Sequence, residues 1–316
     1  MANLLVIKQY ITNFIGKYEV YLKPLGKFLL AMVAFITINA KLGYMQKIDN
    51  FSIVLIAALM CSFMPMNFIV LLSTVFIILH MYALSLECAI VVLVLFVILF
   101  LLYFGLSPKD SVVAILTPVL TSMGIPYIMP VAMGLIGGPT SAVSIGCGVI
   151  ASFVLKTISA NATALVGMET EDMTAKLRFI IDAVLNNKII ILLVISFAIT
   201  LLVVYFVRQL SIDFSWPIAI GAGAIIDAII VLVGDLAMDS SVSIAGLLIG
   251  TILAIGTGFV IQFFKFNVNY VKTEKVQFED DDYYYYVKAV PKRTVPVPTR
   301  NVKKINSAKK SGVRRQ

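Results

Sequence analysis

The sequence predicts an all-α fold: a polytopic transmembrane helical bundle of about eight spans (seven to ten), followed by a short extended or disordered cytoplasmic tail. Three observations carry this. Hydrophobic residues make up 60% of the 316 and charged residues 13%, whereas soluble domains run about 45–50% apolar and about 25% charged. Uncharged runs at 51–86 and 88–106 reach or exceed the roughly 20 residues a helix needs to cross a bilayer. After Phe266 the composition turns abruptly polar, with "EDDDYYYY" and then a Pro-rich basic end.

Residues 1–27 read as a cytoplasmic lead-in with Lys8, Lys17, Lys23 and Lys27. Leu4, Ile7, Ile11, Phe14 and Ile15 fall at helical spacing, which suits a helix lying in a membrane surface; a short solvated helix is the alternative. The bundle occupies 28–264. Apolar runs divide it into segments at 28–42, 48–65, 67–86, 88–106, 111–135, 137–158, 188–207, 217–237 and 241–264.

The tail from Lys265 onward holds 13 of the 25 Lys and Arg. Positive charge accumulates on the cytoplasmic side of short flanks, so both termini are expected there. An even number of crossings follows. Eight or ten crossings, with one of the nine segments re-entrant or one split in two, fit better than nine, and eight is the expectation.

Two connections carry local signals. "SPKD" at 107–110 reads as a helix start, with Ser107 as N-cap, Pro108 at the first helical position and Asp110 at the third. Near 171–187, Met173, Leu177, Ile180, Ile181 and Val184 share one face of an amphipathic connecting helix.

The chemistry-bearing patterns are few. The chain has one histidine, His80, and its three cysteines sit singly in apolar stretches. It lacks an H-E-x-x-H helix, a nucleophile elbow and a phosphate loop. No cofactor, metal site or enzymatic activity is expected.

Two features point to a transport pathway instead. Asp227 lies ten residues beyond Pro217, about 15 Å along a helix and so near the bilayer midplane. A carboxylate there faces a cavity or a partner; a hydrogen-bonded packing contact is the alternative. Within 111–139, Pro118, Gly124, Pro126, Pro130, Gly137, Gly138 and Pro139 interrupt an apolar stretch. Broken segments of this kind point to transporter binding sites, with a plain interfacial turn as the alternative. A third feature concerns packing: Gly246, Gly250, Ala254 and Gly258 form a small-residue stripe at i+4 spacing, suited to close approach of another helix.

In the tail, "NVNYVKTEKVQF" and "YYYYVKAV" could alternate sides as two strands with "EDDD" as the turn. Phe278, Asp280, Asp281, Asp282, Tyr283, Tyr284, Tyr285 and Tyr286 are the expected docking residues for a cytoplasmic protein partner, through strand addition or a linear motif. The last 25 residues hold nine Lys/Arg and no acid, which suits anionic lipid headgroups rather than a specific nucleic acid. The segment 276–292, "VQFEDDDYYYYVKAVPK", resembles a tail of uncharacterised multi-pass membrane proteins of Clostridia-type Gram-positive bacteria. The resemblance implies a bacterial plasma membrane and no particular activity. From the residues, the expectation is a permease-like or channel-like component for a small solute or ion. The alternative is a non-transporting scaffold for envelope assembly, division or sporulation that recruits partners through its tail.

Overall fold

A computed structural model describes residues 2–163, 178–183, 186–240, 242–265, 274–279 and 284–289. The chain divides into two units. One comprises 1–16 with 267–316, and the other is the bundle 17–266.

In the first unit, the helix α1 spans Ala2–Lys17, and Ile7, Ile11, Phe14 and Ile15 on it are exposed. Strands β1 (Glu274–Glu279) and β2 (Tyr284–Ala289) pair antiparallel, with Phe278 opposite Tyr285 and Gln277 opposite Tyr286. Paired residues share a face and faces alternate along a strand. Glu274, Val276, Phe278, Tyr285, Val287 and Ala289 therefore lie on one face, and Lys275, Gln277, Glu279, Tyr284, Tyr286 and Lys288 on the other. Asp280, Asp281, Asp282 and Tyr283 lie outside the described residues, as does the basic end.

The bundle contains α2 (Glu19–Leu42), α3 (Phe51–Phe63), α4 (Met66–Leu84), α5 (Leu86–Leu106), α6 (Ser111–Ser122), α7 (Ile128–Ile136), α8 (Ser141–Ala160), α9 (Lys188–Arg208), α10 (Ser215–Met238) and α11 (Ile244–Lys265). Seven of these, α2, α4, α5, α8, α9, α10 and α11, are long and apolar enough to cross a membrane. The chain is a multi-pass integral membrane protein by that measure.

Interhelical contacts order the ends. Call the face where α2 begins the near face. Ser62 Oγ donates to the Pro24 carbonyl at 2.9 Å and Lys27 Nζ to the Met64 carbonyl at 2.9 Å, so α3 ends there. Tyr103 on α5 reaches Asn67 at the start of α4, and Ser107 reaches Ser144 at the start of α8. At the far face, His80 meets Asn39, Asn187 meets Thr157, and Lys188 bonds the Met238 carbonyl. Near the other end of α10 and α11, Gly258 faces Ile220. α11 thus ends on the near face, where α2 began.

α3 has only 13 residues. It nevertheless carries the chain from the level of Asn39, whose Nδ2 bonds the Ile48 carbonyl, to the level of Pro24. Fifteen residues of α2 separate those levels, about 22 Å at 1.5 Å per residue. With α3 counted, eight helices cross from face to face outside the segment 111–135.

The segment 111–135 is the one split in two. α6 starts at the near face and runs beside α8, with Thr117 against Gly148. It reaches the far face at Gly124, whose carbonyl faces Gly246 near the start of α11. α7 then returns, and its last carbonyls meet Arg208 at the near end of α9. Gly124 has φ of 80°, a left-handed conformation that costs glycine little. Its N–H bonds the Thr121 carbonyl at 3.1 Å and the Ile125 N–H bonds the Leu120 carbonyl at 3.0 Å. That pair of bonds is a Schellman stop for α6, and Pro126 prevents resumption. Pro130 falls in the first turn of α7, where its missing N–H has no intrahelical partner to lose.

Two sequence boundaries move. α2 begins at Glu19, inside the stretch read as a lead-in, because Pro24 removes one bond near its start without stopping it. "SPKD" is a turn closed by the Asp110 N–H to the Ser107 carbonyl, and α6 begins at Ser111. The Ser107 hydroxyl is 2.6 Å from Ser144 Oγ, a tertiary bond that replaces the expected cap. Of the connecting helix near 171–187, residues 178–183 are described and helical, with Ile180 buried in the largest apolar core.

Candidate functional site

A cavity of about 480 Å³ lies between α2, α4, α5, α6 and α8. Pro118 and Gly124 of the broken hairpin line it, as do Thr37, Ser73, Phe96 and Ser152. Pro118 has no N–H for the carbonyl of Ala114, one turn earlier, and Ala114 also lines the cavity. Its exposed lining residues, Lys41, Met123, Gly124 and Lys156, are all on far-face ends of their helices, so the mouth is there.

The near end is closed. The Tyr103 side chain, 2% exposed, forms the floor. Its hydroxyl donates to Asn67 Oδ1 at 2.8 Å and lies 3.2 Å from Ser111 Oγ, which also bonds Asn67. These contacts pin α4, α5 and the start of α6 together.

The hydroxyls of the lining contribute less polarity than their number suggests. Thr37, Thr74, Thr121 and Ser152 each donate to the carbonyl four residues earlier, and Ser122 to the one three earlier. Such back-bonding spends the donor on the residue's own helix. Ser73 Oγ and Ser159 Oγ are buried without a hydrogen-bond partner, and both border the cavity.

His80 sits outside the cavity in a separate lock. Its Nδ1 accepts from the Met45 N–H at 3.1 Å, which leaves the proton on Nε2, 2.9 Å from Asn39 Oδ1. The arrangement ties the α2–α3 turn to α4.

Asp227 lies elsewhere. It is 2% exposed, and its Oδ1 accepts from Ser196 Oγ at 2.6 Å and Thr200 Oγ1 at 3.3 Å. The structure places it in the α9–α10 contact and not on the cavity lining. Intramembrane side-chain hydrogen bonds contribute on average about 0.6 kcal/mol. Asp227→Asn keeps the accepting oxygen, so its thermal stability in detergent should stay within about 1 kcal/mol of wild type. Reagent access to the cavity should also be unchanged. Lost access in a folded Asp227→Asn protein would return this residue to the pathway.

Pro126, Pro130, Gly137, Gly138 and Pro139 likewise do not line the cavity; they shape the hairpin and its exit. Arg208 donates from Nη2 to the Gly137 carbonyl at 2.9 Å and from Nη1 to the Leu135 carbonyl. Its guanidinium carbon lies 5.1 Å from the Tyr205 ring centroid. The stripe on α11 meets the hairpin and α10: a Cβ at Gly250 would overlap Tyr127 Cδ2, one at Gly258 would fall 3.0 Å from Ile220, and Ala254 is buried.

Sequence reasoning missed Lys41, Lys156, Ser73 and Arg208. The lysines and Arg208 read as interfacial flanks of apolar runs, and Ser73 as an isolated polar residue in one. One signal was present: Ser152, Lys156 and Ser159 recur at i, i+4 and i+7, which puts them on one face of α8. Comparison of the chain with protein-family models, with curated proteins and with solved structures returned no match.

Proposed function

We propose that the chain is a permease-like transport component of a bacterial plasma membrane, with the cavity as its solute site and the α6–α7 hairpin as the element that changes shape. The observation that carries this reading is the cavity itself, walled on one side by α6, which carries Pro118 in its interior, and closed at the near end. A closed floor favours a permease-like over a channel-like device, because an open channel needs a continuous path.

The near face carries Lys17, Lys23, Lys27, Lys109, Arg208 and Lys265, and the described far face Lys41, Lys47, Lys156, Arg178 and Lys188. With the basic ends of the chain added, the near face is cytoplasmic in this reading, and the mouth opens outward.

The test is access. In a protein with Cys61, Cys88 and Cys147 replaced, Ser73→Cys is exposed to a membrane-impermeant thiosulfonate from each side of oriented vesicles. Transport predicts fast modification through the far mouth and slower modification from the near face. Modification from the far face alone, in every condition, would sink the transport reading. It would favour a non-transporting scaffold, for which the β1–β2 hairpin, marginal as an isolated two-stranded unit, is the supporting feature.

A further inference from the structure

We infer that the cavity takes a single-chain anionic amphiphile, with its carboxylate or phosphate head at Lys41, Lys156 and Ser159 and its chain against Phe96, Phe100 and Val119. The inference rests on the cavity being the solute site and names the class of solute.

Charge sets the sign. Among the described residues both formal charges on the lining are positive, Lys41 and Lys156, and no carboxylate lines the space. Among the described residues neither ammonium has a carboxylate partner; Lys156 lies 5.6 Å from the Phe153 ring centroid, a contact that leaves its donors free. Ser159 is one turn beyond Lys156 on the same face of α8, and its hydroxyl has no partner. Two exposed ammonium groups and a buried, unpartnered hydroxyl thus line the same cavity toward its mouth.

Polarity sets the rest of the molecule. Below the mouth, the walls are aliphatic and aromatic, and five lining hydroxyls are turned back onto their own helices. A small hydrated anion passing the lysines would have to shed water against apolar walls with nothing to replace it. An alkyl chain gains there, at about 25 cal/mol per Å² of apolar surface removed from water. The Ser73 hydroxyl, unpartnered in the deeper part, suits at most one further polar group. A volume of about 480 Å³ lies within the range of pockets that hold one small organic molecule, which suits one chain rather than two.

The test uses the full chain in phosphatidylcholine nanodiscs and a diazirine-bearing single-chain fatty acid, with crosslinks mapped by peptide mass spectrometry. Crosslinks are expected on cavity residues. They should be competed by an unlabelled fatty acid and by a single-chain alkyl phosphate, but not by an alkylamine of equal length, by acetate or by inorganic phosphate. Lys41→Gln with Lys156→Gln, at exposed positions, should keep the melting temperature and lower occupancy roughly tenfold or more.

Competition by inorganic phosphate alone would make this a free-anion site, and equal competition by the alkylamine would remove the charge selection; either overturns the inference. So would crosslinks confined to outward residues such as Leu93, Val97 and Leu101, which mark bulk lipid. Binding as expected with one-sided access at Ser73→Cys would leave the site and remove transport. Two-sided access without competed binding would leave transport and remove this solute class.

Discussion

Replacing Arg208 with glutamine is expected to lower the unfolding free energy by about 3 kcal/mol and to loosen the near end of the hairpin. The last carbonyls of a helix have no intrahelical donors, and α7 is only nine residues long, so nearly half of its carbonyls fall in that class. Arg208 supplies two of the missing donors from a neighbouring helix, at Leu135 and Gly137. Bonds from a charged donor contribute roughly 1.5–3 kcal/mol each, and a cation over an aromatic face adds about 0.5–1 kcal/mol. The geometry is forked, so Arg208→Lys keeps the charge but satisfies one carbonyl at a time and should recover less than half of the loss. Thermal denaturation in detergent measures the ranking. Equal stability of wild type and Arg208→Gln would show that solvent satisfies those carbonyls, and the hairpin would then be held by packing alone.

The crossings were legible in the sequence because lipid imposes a one-dimensional requirement: a run must be long and uncharged. The charge distribution added parity, and parity required that one segment be re-entrant or split in two. Pro118, Gly124, Pro126 and Pro130 marked which one, since a proline acts on its own helix whatever lies beside it. The site was less legible for the opposite reason. Its walls come from five helices between Ala34 and Ser159, and what joins Lys41 to Lys156 is the packing of α2 near α8, which no spacing encodes.

Asp227 illustrates the same limit. Depth could be counted from Pro217, but Ser196 and Thr200 lie on another helix, and they hold the carboxyl in the α9–α10 contact. Ser107 failed as a cap because a hydroxyl can bond locally or across the fold. Ser144, 37 residues away, provided the tertiary partner. In the tail, alternation in 274–289 was readable as a hairpin because strand pairing there is between neighbours in sequence.

The second large effect concerns Gly148, where α6 and α8 touch. A Cβ built on Gly148 would lie 2.7 Å from Thr117 Cβ, 3.0 Å from Thr117 Cγ2 and 3.1 Å from Pro118 Cδ. None of these atoms sits at the end of a flexible chain. Thr117 is β-branched, with its hydroxyl fixed to the Val113 carbonyl at 2.8 Å, and the Pro118 ring does not rotate.

Two effects then compete in Gly148→Ala. Removing a glycine from a helix interior favours the helix by up to about 1 kcal/mol. Overpacking a filled contact costs about 1–3 kcal/mol, and here the backbone of α6 has to move to relieve it. The clash should win, for a net loss of about 1–2 kcal/mol, with Gly148→Val losing more. Gly221 and Gly256 provide the internal control: each is helical with open space where a Cβ would stand, so alanine there should be neutral or stabilising.

Because Gly148, Thr117 and Pro118 border the cavity or its wall, the wedge should also reduce occupancy by the fatty-acid probe. Gly221→Ala and Gly256→Ala should leave occupancy unchanged. Gly148→Ala with wild-type melting and wild-type occupancy would mean that α6 gives way freely beside α8, and the contact would then be a sliding surface rather than a fixed wall.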